Sequence, residues 1–209
     1  MEIIPAILED DIVGIQAKLD KLADFSPETH HVQLDITDGT LTPQSSWHEP
    51  SELSALRWAS EIELHLMQIN PPLKQWLVDS RVTRCVIHAE SSDPRQSLLE
   101  IKTLGRRAGL ALNPATTVAQ VSEFLAVADY VLLLTVTPGA QGQPFQASVL
   151  AKVQQLHRIK PDLPVYVDGG VSDVTIQPIR EASCAGVAVG SFLWRAEDLA
   201  KALRELRAM

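Results

Sequence analysis

The sequence has little cysteine and no long hydrophobic run. Cysteine occurs twice among 209 residues, as Cys85 and Cys184, with no CxxC pair. This excludes a disulfide scaffold and a thiolate zinc site, and it predicts a reduced protein of the cytoplasm. No apolar run approaches the roughly 18 residues that cross a membrane. The first residues, MEIIPAILEDD, lack the basic region of a signal peptide.

Positive charge is also scarce. Lys and Arg number 18 against 26 Asp and Glu, which gives a formal net charge of −8 with neutral histidine. A general nucleic-acid binder needs a basic face, so we expect neither nucleic acid nor membrane as a partner. A small anionic substrate stays possible, because a few backbone N–H groups can hold a phosphate on an acidic protein.

What the sequence does contain is a regular alternation of short aliphatic runs and longer amphipathic segments. Dividing 209 residues by eight gives about 26 per unit, close to a minimal βα repeat. The predicted strands are 3–8, 32–36, 62–66, 82–88, 110–112, 130–136, 165–167 and 187–189. The predicted helices are 12–25, 94–109, 116–128, 145–159, 172–183 and 196–209, with weaker signals at 50–58 and 72–79.

Strict alternation of strand and helix predicts a parallel sheet covered by helices. A single (β/α)8 barrel over residues 1–209 fits the repeat length best. The alternative is an open doubly wound sheet, which usually carries a glycine-rich turn after its first strand. Here Glu9-Asp10-Asp11 follows that strand, so a dinucleotide site is not expected.

Polar residues follow most of the predicted strands, at the end where such barrels place their active sites. Taken singly, such residues are often caps, turn formers or hydrogen-bonded structural groups. Their convergence on one rim weakens that interpretation. They are Asp35, Asp38, His65, His88, Asn113, Thr135, Thr137, Asp168, Gly169, Gly170, Gly190 and Ser191.

Asp35 and Asp168 suit proton transfer at a carbon next to a carbonyl. One carboxylate would remove a proton, and the other would deliver one to the opposite face. A cation between them would offset their repulsion and stabilise an enediolate. Glycines after the last strands predict a phosphate site, and residues 137–145, TPGAQGQPF, read as a lid.

Eight short segments, most of them at predicted strands or just after them, carry a family resemblance. They are Pro5-Ala6-Ile7-Leu8, Leu34-Asp35-Ile36-Thr37-Asp38-Gly39, His65-Leu66-Met67, His88-Ala89-Glu90, 111–116, Thr135-Val136-Thr137-Pro138-Gly139, Val167-Asp168-Gly169-Gly170 and Val189-Gly190-Ser191. Together they resemble the ribulose-phosphate 3-epimerase family over nearly the whole chain. The resemblance implies a barrel of the ribulose-phosphate-binding type, a pentulose phosphate substrate, a divalent metal ion (Zn, Fe, Mn or Mg), and the possibility of a homo-oligomer.

The resemblance also implies roles for individual residues. Asp35 and Asp168 are the expected catalytic pair and metal ligands, with His65 as a third ligand and Gln33 at the position of the fourth. The expected contacts of the substrate and its phosphate are His65, Gly139, Gly142, Gly169, Gly170, Gly190 and Ser191.

Several positions depart from the family pattern. Gln33 replaces a ligand histidine, Ala6 replaces a serine, and Thr37 and Leu134 replace methionines, while Met67 is kept. An amide oxygen is a poorer donor than imidazole for zinc or iron, so we expect weaker metal binding and a shift toward manganese or magnesium. His31 cannot substitute, because it lies roughly 6.6 Å deeper along the strand.

Three hypotheses follow from these changes. The first is an epimerase with an altered metal site, and the second is a related barrel enzyme that acts on another sugar phosphate. The third is a paralogue that binds a sugar phosphate without epimerising it. Hexulose-phosphate synthases and related decarboxylases would call for Asp-x-Lys-x-x-Asp, whereas this chain reads Asp35-Ile36-Thr37-Asp38 without lysine.

Overall fold

A closed barrel of parallel strands forms the centre of the molecule. The computed structural model describes residues 1–23, 31–138 and 143–209. Within them each strand pairs with its neighbours in sequence, and the eighth pairs with the first. The strands are β1 (Glu2–Ile7), β2 (His31–Thr37), β3 (Glu61–Met67), β4 (Val82–His88), β5 (Arg107–Leu112), β6 (Tyr130–Leu134), β7 (Val165–Asp168) and β8 (Gly186–Val189).

Helices alternate with these strands, so the fold is the predicted (β/α)8 TIM barrel. They are α1 (Ile12–Ala23), α2 (Leu73–Trp76), α3 (Pro94–Thr103), α4 (Ala151–Ile159), α5 (Ile176–Glu181), α6 (Ser191–Trp194) and α7 (Leu199–Ala208). Short 3-10 helices span Pro50–Ala55, Ala119–Val121, Phe124–Ala126 and Ala147–Leu150. No helix in the described ranges is long and apolar enough to cross a membrane.

Several helix boundaries differ from the prediction. The segment 116–128 forms two 3-10 turns instead of one helix, although Val121 and Leu125 still face the core. The helix predicted for 94–109 ends at Thr103, because Gly105 takes a left-handed conformation (φ 76°). The helix predicted for 172–183 begins only at Ile176, after hydroxyl-bonded turns.

The remaining boundaries differ less. The 145–159 segment begins as a 3-10 turn, and the last helix starts at Leu199, where Asp198 caps it by accepting from the Lys201 N–H at 2.8 Å. The weaker signals at 50–58 and 72–79 become the 3-10 helix Pro50–Ala55 and the one-turn helix α2. Residues 24 and 25 of the first predicted helix lie outside the described ranges.

Strand alternation separates an apolar outside from a partly polar inside. In β2, Val32, Leu34 and Ile36 are buried in the core between strands and helices. The intervening residues therefore point into the barrel, and their register sets Gln33 beside Glu63 and Asp35 beside His65. A smaller apolar cluster that includes Tyr130, Leu132 and Tyr166 fills the interior.

Candidate active site

The predicted catalytic residues meet at the carboxyl ends of the strands. Asp35 on β2 pairs in register with His65 on β3, and Asp168 is the last residue of β7. All three line one cleft. The fold thus brings together residues that are far apart in the chain, at the rim where barrel enzymes hold their substrates.

His65 bridges the two carboxylates. Its Nδ1 lies 3.0 Å from Asp35 Oδ1 and 3.4 Å from Asp168 Oδ2. The His65 side chain is buried, whereas the side chains of Asp35 and Asp168 are 14% and 15% exposed. Both carboxylates are therefore accessible from the cleft, and a small substrate would need that access.

Gln33 lies beneath the same carboxylates and joins them. Its amide Nε2 donates to Asp35 Oδ1 at 2.7 Å and to Asp168 Oδ2 at 2.8 Å. Its Oε1 is buried and has no hydrogen-bond partner. The amide nitrogen, rather than the oxygen that could bind a metal ion, faces the cluster.

The charges in this cluster perturb one another. Burial raises the pKa of Asp35, and the charge of Asp168 raises it further, against the hydrogen bonds from His65 and Gln33. Burial alone would lower the pKa of His65, but its hydrogen bonds to Asp168 and Asp35 outweigh burial and raise that pKa to about 10. Without a metal ion, His65 is therefore the cation that balances the carboxylate pair.

The donor atoms present also fit a divalent cation. One ligand atom each from Asp35, His65 and Asp168 lies within 4.8 Å of the others. Carboxylate oxygen and imidazole nitrogen are common ligands of zinc, iron and manganese. Rotation of the buried Gln33 amide would turn its unpartnered Oε1 toward the cation as an oxygen donor. The same rotation would break the hydrogen bonds from Nε2 to Asp35 and Asp168, and the bound cation would have to offset that loss.

A second histidine lies directly behind His65. The two Nε2 atoms of His65 and His88 are 3.0 Å apart, and the ring planes lie within 10° of parallel with centroids 5.1 Å apart, so the two rings meet edge to edge. His88 Nδ1 lies 3.2 Å from Glu90 Oε2, and Glu90 also contacts the Thr116 hydroxyl. Burial lowers the pKa of His88 to about 4, despite Glu90. Sequence reasoning placed His88 on the rim but gave it and Glu90 no role.

The glycines of the predicted phosphate site line the other end of the cleft. Gly169, Gly170, Gly190 and Ser191 all border it, with Gln143 beside them. Gly169 and Gly170 take positive φ angles of 102° and 66°, which L side chains rarely adopt. Gly139 and Gly142, with residues 139–142 of the predicted lid 137–145, lie outside the described residues.

The other rim residues have separate surroundings. Asp38 accepts a hydrogen bond from the Thr40 N–H at 3.0 Å, so it forms a turn outside the carboxylate cluster. Thr135 donates to the backbone oxygen of Asp168 at 3.0 Å, which supports the end of β7. Of the positions that depart from the family pattern, Ala6 and Leu134 line the cleft beside Met67, whereas Thr37 is buried.

Solved structures similar to this chain are TIM-barrel proteins. The tryptophan synthase complex of Pyrococcus furiosus has a TM-score of 0.75 at 15% identity, covering 100% of this chain and 98% of that chain. The 3-hexulose-6-phosphate synthase of Salmonella typhimurium has a TM-score of 0.73 at 16% identity, covering 100% and 97%. Identities this low show the fold alone. The barrel, with its carboxylates and histidine at the carboxyl rim, defines a TIM-barrel enzyme.

Sequence relatives then give the family. The ribulose-phosphate 3-epimerase of Aquifex aeolicus (strain VF5) is 31% identical over 98% of this chain and 95% of its own length. That of Bacillus subtilis (strain 168) is 30% identical over 99% and 98%. The pattern of the ribulose-phosphate 3 epimerase family matches residues 2–194. The chain belongs to the ribulose-phosphate 3-epimerase family, as its motifs predicted.

Proposed function

We propose that this chain epimerises a ketopentose phosphate, interconverting ribulose 5-phosphate and xylulose 5-phosphate. The observation that carries the proposal is the convergence of Asp35 and Asp168 on His65 in a family member. The alternatives, a sugar-phosphate binder without activity or an enzyme for a different sugar phosphate, are not favoured by the relatives. The substitutions at Gln33 and Ala6 leave the carboxylate pair and His65 in place.

Epimerisation at C3 needs one base and one acid. One carboxylate oxygen of the pair accepts the C3 proton, and the electrons of that C–H bond move toward the C2 carbonyl to give an enediolate. The other carboxyl group returns a proton to the opposite face of C3. Burial and the charge of Asp168 raise the pKa of Asp35, which favours the protonated form that the acid of this reaction needs.

Asp35, His65 and Asp168 are the residues that would hold a divalent cation, with Gln33 as the fourth neighbour. A bound cation supplies positive charge that stabilises the enediolate oxygens. The chain's own residues position the reaction. Gln33 keeps the carboxylates together, and Met67 and Leu134 border the cleft with apolar groups that exclude water.

Substrate phosphate is assigned to the glycine-lined end of the cleft. Backbone N–H groups around Gly169, Gly170, Gly190 and Ser191 can donate to phosphate oxygens without basic side chains. Gly139 and Gly142 are proposed to contribute to the same phosphate contact. A site of this kind explains how an acidic protein would bind an anionic substrate.

The direct test is the loss of one carboxylate. We expect Asp168→Asn to lower kcat for ribulose 5-phosphate by about 10²–10⁴-fold, because the amide cannot accept or return the C3 proton. Turnover in D₂O should place deuterium at C3, and the variant should lose this exchange as well. Asp20→Asn, at a half-exposed position on α1, is the matched control and should retain activity.

Two outcomes would contradict the proposal. If the wild-type protein supplied with manganese, zinc or iron does not interconvert the two pentulose phosphates, the activity is wrong. If Asp168→Asn keeps both turnover and exchange, the two-carboxylate mechanism is wrong even though the activity stands.

We further infer a single domain over residues 1–209, a cytoplasmic location and the possibility of a homo-oligomer. Size measurement in solution tests the last of these.

A further inference from the structure

A row of hydrogen-bonding groups extends from the carboxylate pair away from the cleft. His65 and His88 lie on neighbouring strands and are buried, at 1% and 0% exposure. Their Nε2 atoms are 3.0 Å apart, and His88 Nδ1 is 3.2 Å from Glu90 Oε2. The Thr116 hydroxyl donates to the other oxygen of Glu90. The proposed reaction assigns no role to His88, Glu90 or Thr116.

The Glu90 carboxylate, near the far end of this row, determines which nitrogen atoms of the two histidines carry hydrogens. An ionised carboxylate only accepts hydrogen bonds, so a partner nitrogen must carry the hydrogen. Burial works against ionisation of Glu90, but hydrogen bonds from His88 and Thr116 outweigh it and lower the pKa of Glu90. The hydrogen of this contact therefore belongs on His88 Nδ1.

The remaining contacts follow from that hydrogen. A neutral imidazole that donates from Nδ1 accepts at Nε2, so the hydrogen between the two rings belongs to His65 Nε2. The reverse order would place the bare Nδ1 of His88 against the Glu90 carboxylate, with no hydrogen between them. With its hydrogen on Nε2, a neutral His65 has its lone pair on Nδ1, facing Asp35 and Asp168.

We propose that His88 and Glu90 are positioning residues that hold the hydrogen of His65 on Nε2 and direct Nδ1 toward the carboxylate pair as a metal ligand. The role of His65 as a metal ligand rests on the proposed function. The direction of the row, meaning which atom of each contact donates the hydrogen, does not. Partners of this kind usually change metal affinity by about 10–100-fold when they are removed. Gln33 cannot supply a second imidazole, so His65 is the only nitrogen ligand among the residues assigned to the cation.

The geometry of the support matches this role. Lys152 Nζ donates to the backbone oxygens of Asn113, Pro114 and Thr116 at 2.9, 2.9 and 2.7 Å. This clamp fixes the segment that carries Thr116. His65, His88 and Glu90 are thereby held from both ends, by the carboxylate pair and by the segment after β5.

The first experiment locates the hydrogen between the His65 and His88 rings by NMR. In protein labelled with ¹⁵N at its six histidines, coupling across the N–H···N bond shows which ring carries the hydrogen between His65 and His88. We expect it on His65 Nε2, with a second hydrogen on His88 Nδ1, in protein without metal and with zinc. A hydrogen on His88 Nε2 would overturn the proposal, whatever the activity of the enzyme.

The second experiment measures affinity for Zn²⁺ and Mn²⁺ by calorimetry. Glu90→Gln can donate as well as accept, so it no longer dictates the direction of the row and should weaken binding by about 10-fold. His88→Leu should weaken it by about 10–100-fold. His88→Gln, whose amide oxygen can still accept from His65 Nε2–H, should restore most of the loss.

The outcomes separate this proposal from the activity. His157→Gln is the control, because His157 lies on α4, away from the site, and contacts the backbone oxygen of Leu163. Should Glu90→Gln and His88→Leu bind zinc as the wild type does, the positioning role is wrong. Should the wild type bind neither cation, the metal part of the proposed function is wrong, and the labelled spectra of metal-free protein decide the direction of the row. If His88→Leu does not fold, Glu90→Gln and His88→Gln still give the comparison.

Discussion

At the scale of single residues, Gln33 shows what a sequence can and cannot predict. Strand alternation correctly places Gln33 and Asp35 on the inner face of β2, so the neighbourhood of Gln33 was predictable. Which end of the amide faces the carboxylates was not, because a half-turn of the last side-chain bond exchanges nitrogen and oxygen. In the structure the nitrogen faces them and donates two hydrogen bonds. A bound cation would reverse that preference, since it attracts the oxygen and repels the N–H groups.

Substituting Gln33→His tests this competition. We expect Zn²⁺ to bind at least ~10-fold more tightly, equivalent to about 1.4 kcal/mol, because imidazole is a better zinc ligand than an amide oxygen. Mg²⁺, which prefers oxygen ligands, should gain much less. Calorimetric titration with each cation measures both effects, and Gln154→His, on the exposed side of α4, controls for an added surface histidine. Equal zinc affinity at position 33 would show that this residue does not contact the metal.

At the scale of elements, patterning predicted the strands better than the helices. The aliphatic runs of the strands are buried on both faces, so burial and sequence agree. The segment 116–128 carries apolar residues at helical spacing, yet it forms two 3-10 turns. Both conformations bring residues three apart to one face, so apolar spacing over a short segment does not distinguish them. The turn before α5 depends on hydroxyl contacts of Ser172 and Thr175, which hydrophobic periodicity does not register.

The loop after β7 illustrates a constraint that glycine alone satisfies. A Cβ on Gly169 would lie 2.4 Å from Val136 Cγ2, at a φ of 102°. Gly105 also has a positive φ (76°), but no atom lies within 4 Å of a Cβ added there. The first glycine therefore combines a backbone penalty with a steric clash, while the second has the backbone penalty alone.

We therefore expect Gly169→Ala to destabilise the fold by about 3 kcal/mol, from left-handed strain and overpacking together. Gly105→Ala should cost about 1 kcal/mol. Urea unfolding measures both free energies, and the Val136→Ala background should reduce the cost at Gly169 by removing the clashing methyl groups. The idea fails if the two glycine variants are equally stable, or if Val136→Ala brings no relief.

At the scale of the whole molecule, the barrel has a polar cluster at each end. The cleft end holds the carboxylate pair, and the opposite end holds Glu2, which joins four strands. Its carboxylate lies 3.1 Å from His31 Nδ1, 3.1 Å from Arg84 Nη1 and 3.1 Å from the Tyr166 hydroxyl. The sequence does not predict this group, because its members are separated along the chain and become neighbours only when the barrel closes. Because the Glu2 carboxylate pairs with His31 and Arg84 inside the closed barrel, the free energy of unfolding depends on the protonation of Glu2.

Glu2 gives a test of that dependence. Burial alone would raise its pKa, but the hydrogen bonds of His31 and Arg84 outweigh burial and lower the pKa to about 2 from an ordinary 4.5. A depressed carboxyl pKa stabilises the fold above the unfolded pKa, and this stabilisation disappears as the pH falls through the folded pKa. Since the Glu2 side chain is 33% exposed, solvent screening reduces the effect to about 1–2 kcal/mol at pH 7.

Glu2→Gln keeps the shape and the hydrogen-bond acceptor but removes the charge, so it should be less stable than the wild type by about 1–2 kcal/mol at pH 7. The difference should be constant above about pH 5 and should shrink between pH 4.5 and pH 2, as the wild-type carboxyl binds its proton. Urea unfolding at a series of pH values measures it. Glu61→Gln is the matched control, because it removes a carboxylate that accepts from the neutral Thr83 hydroxyl. If the gap between Glu2→Gln and wild type stays constant down to pH 2, the ion pairs of Glu2 do not stabilise the closed barrel, and its contacts act through shape alone.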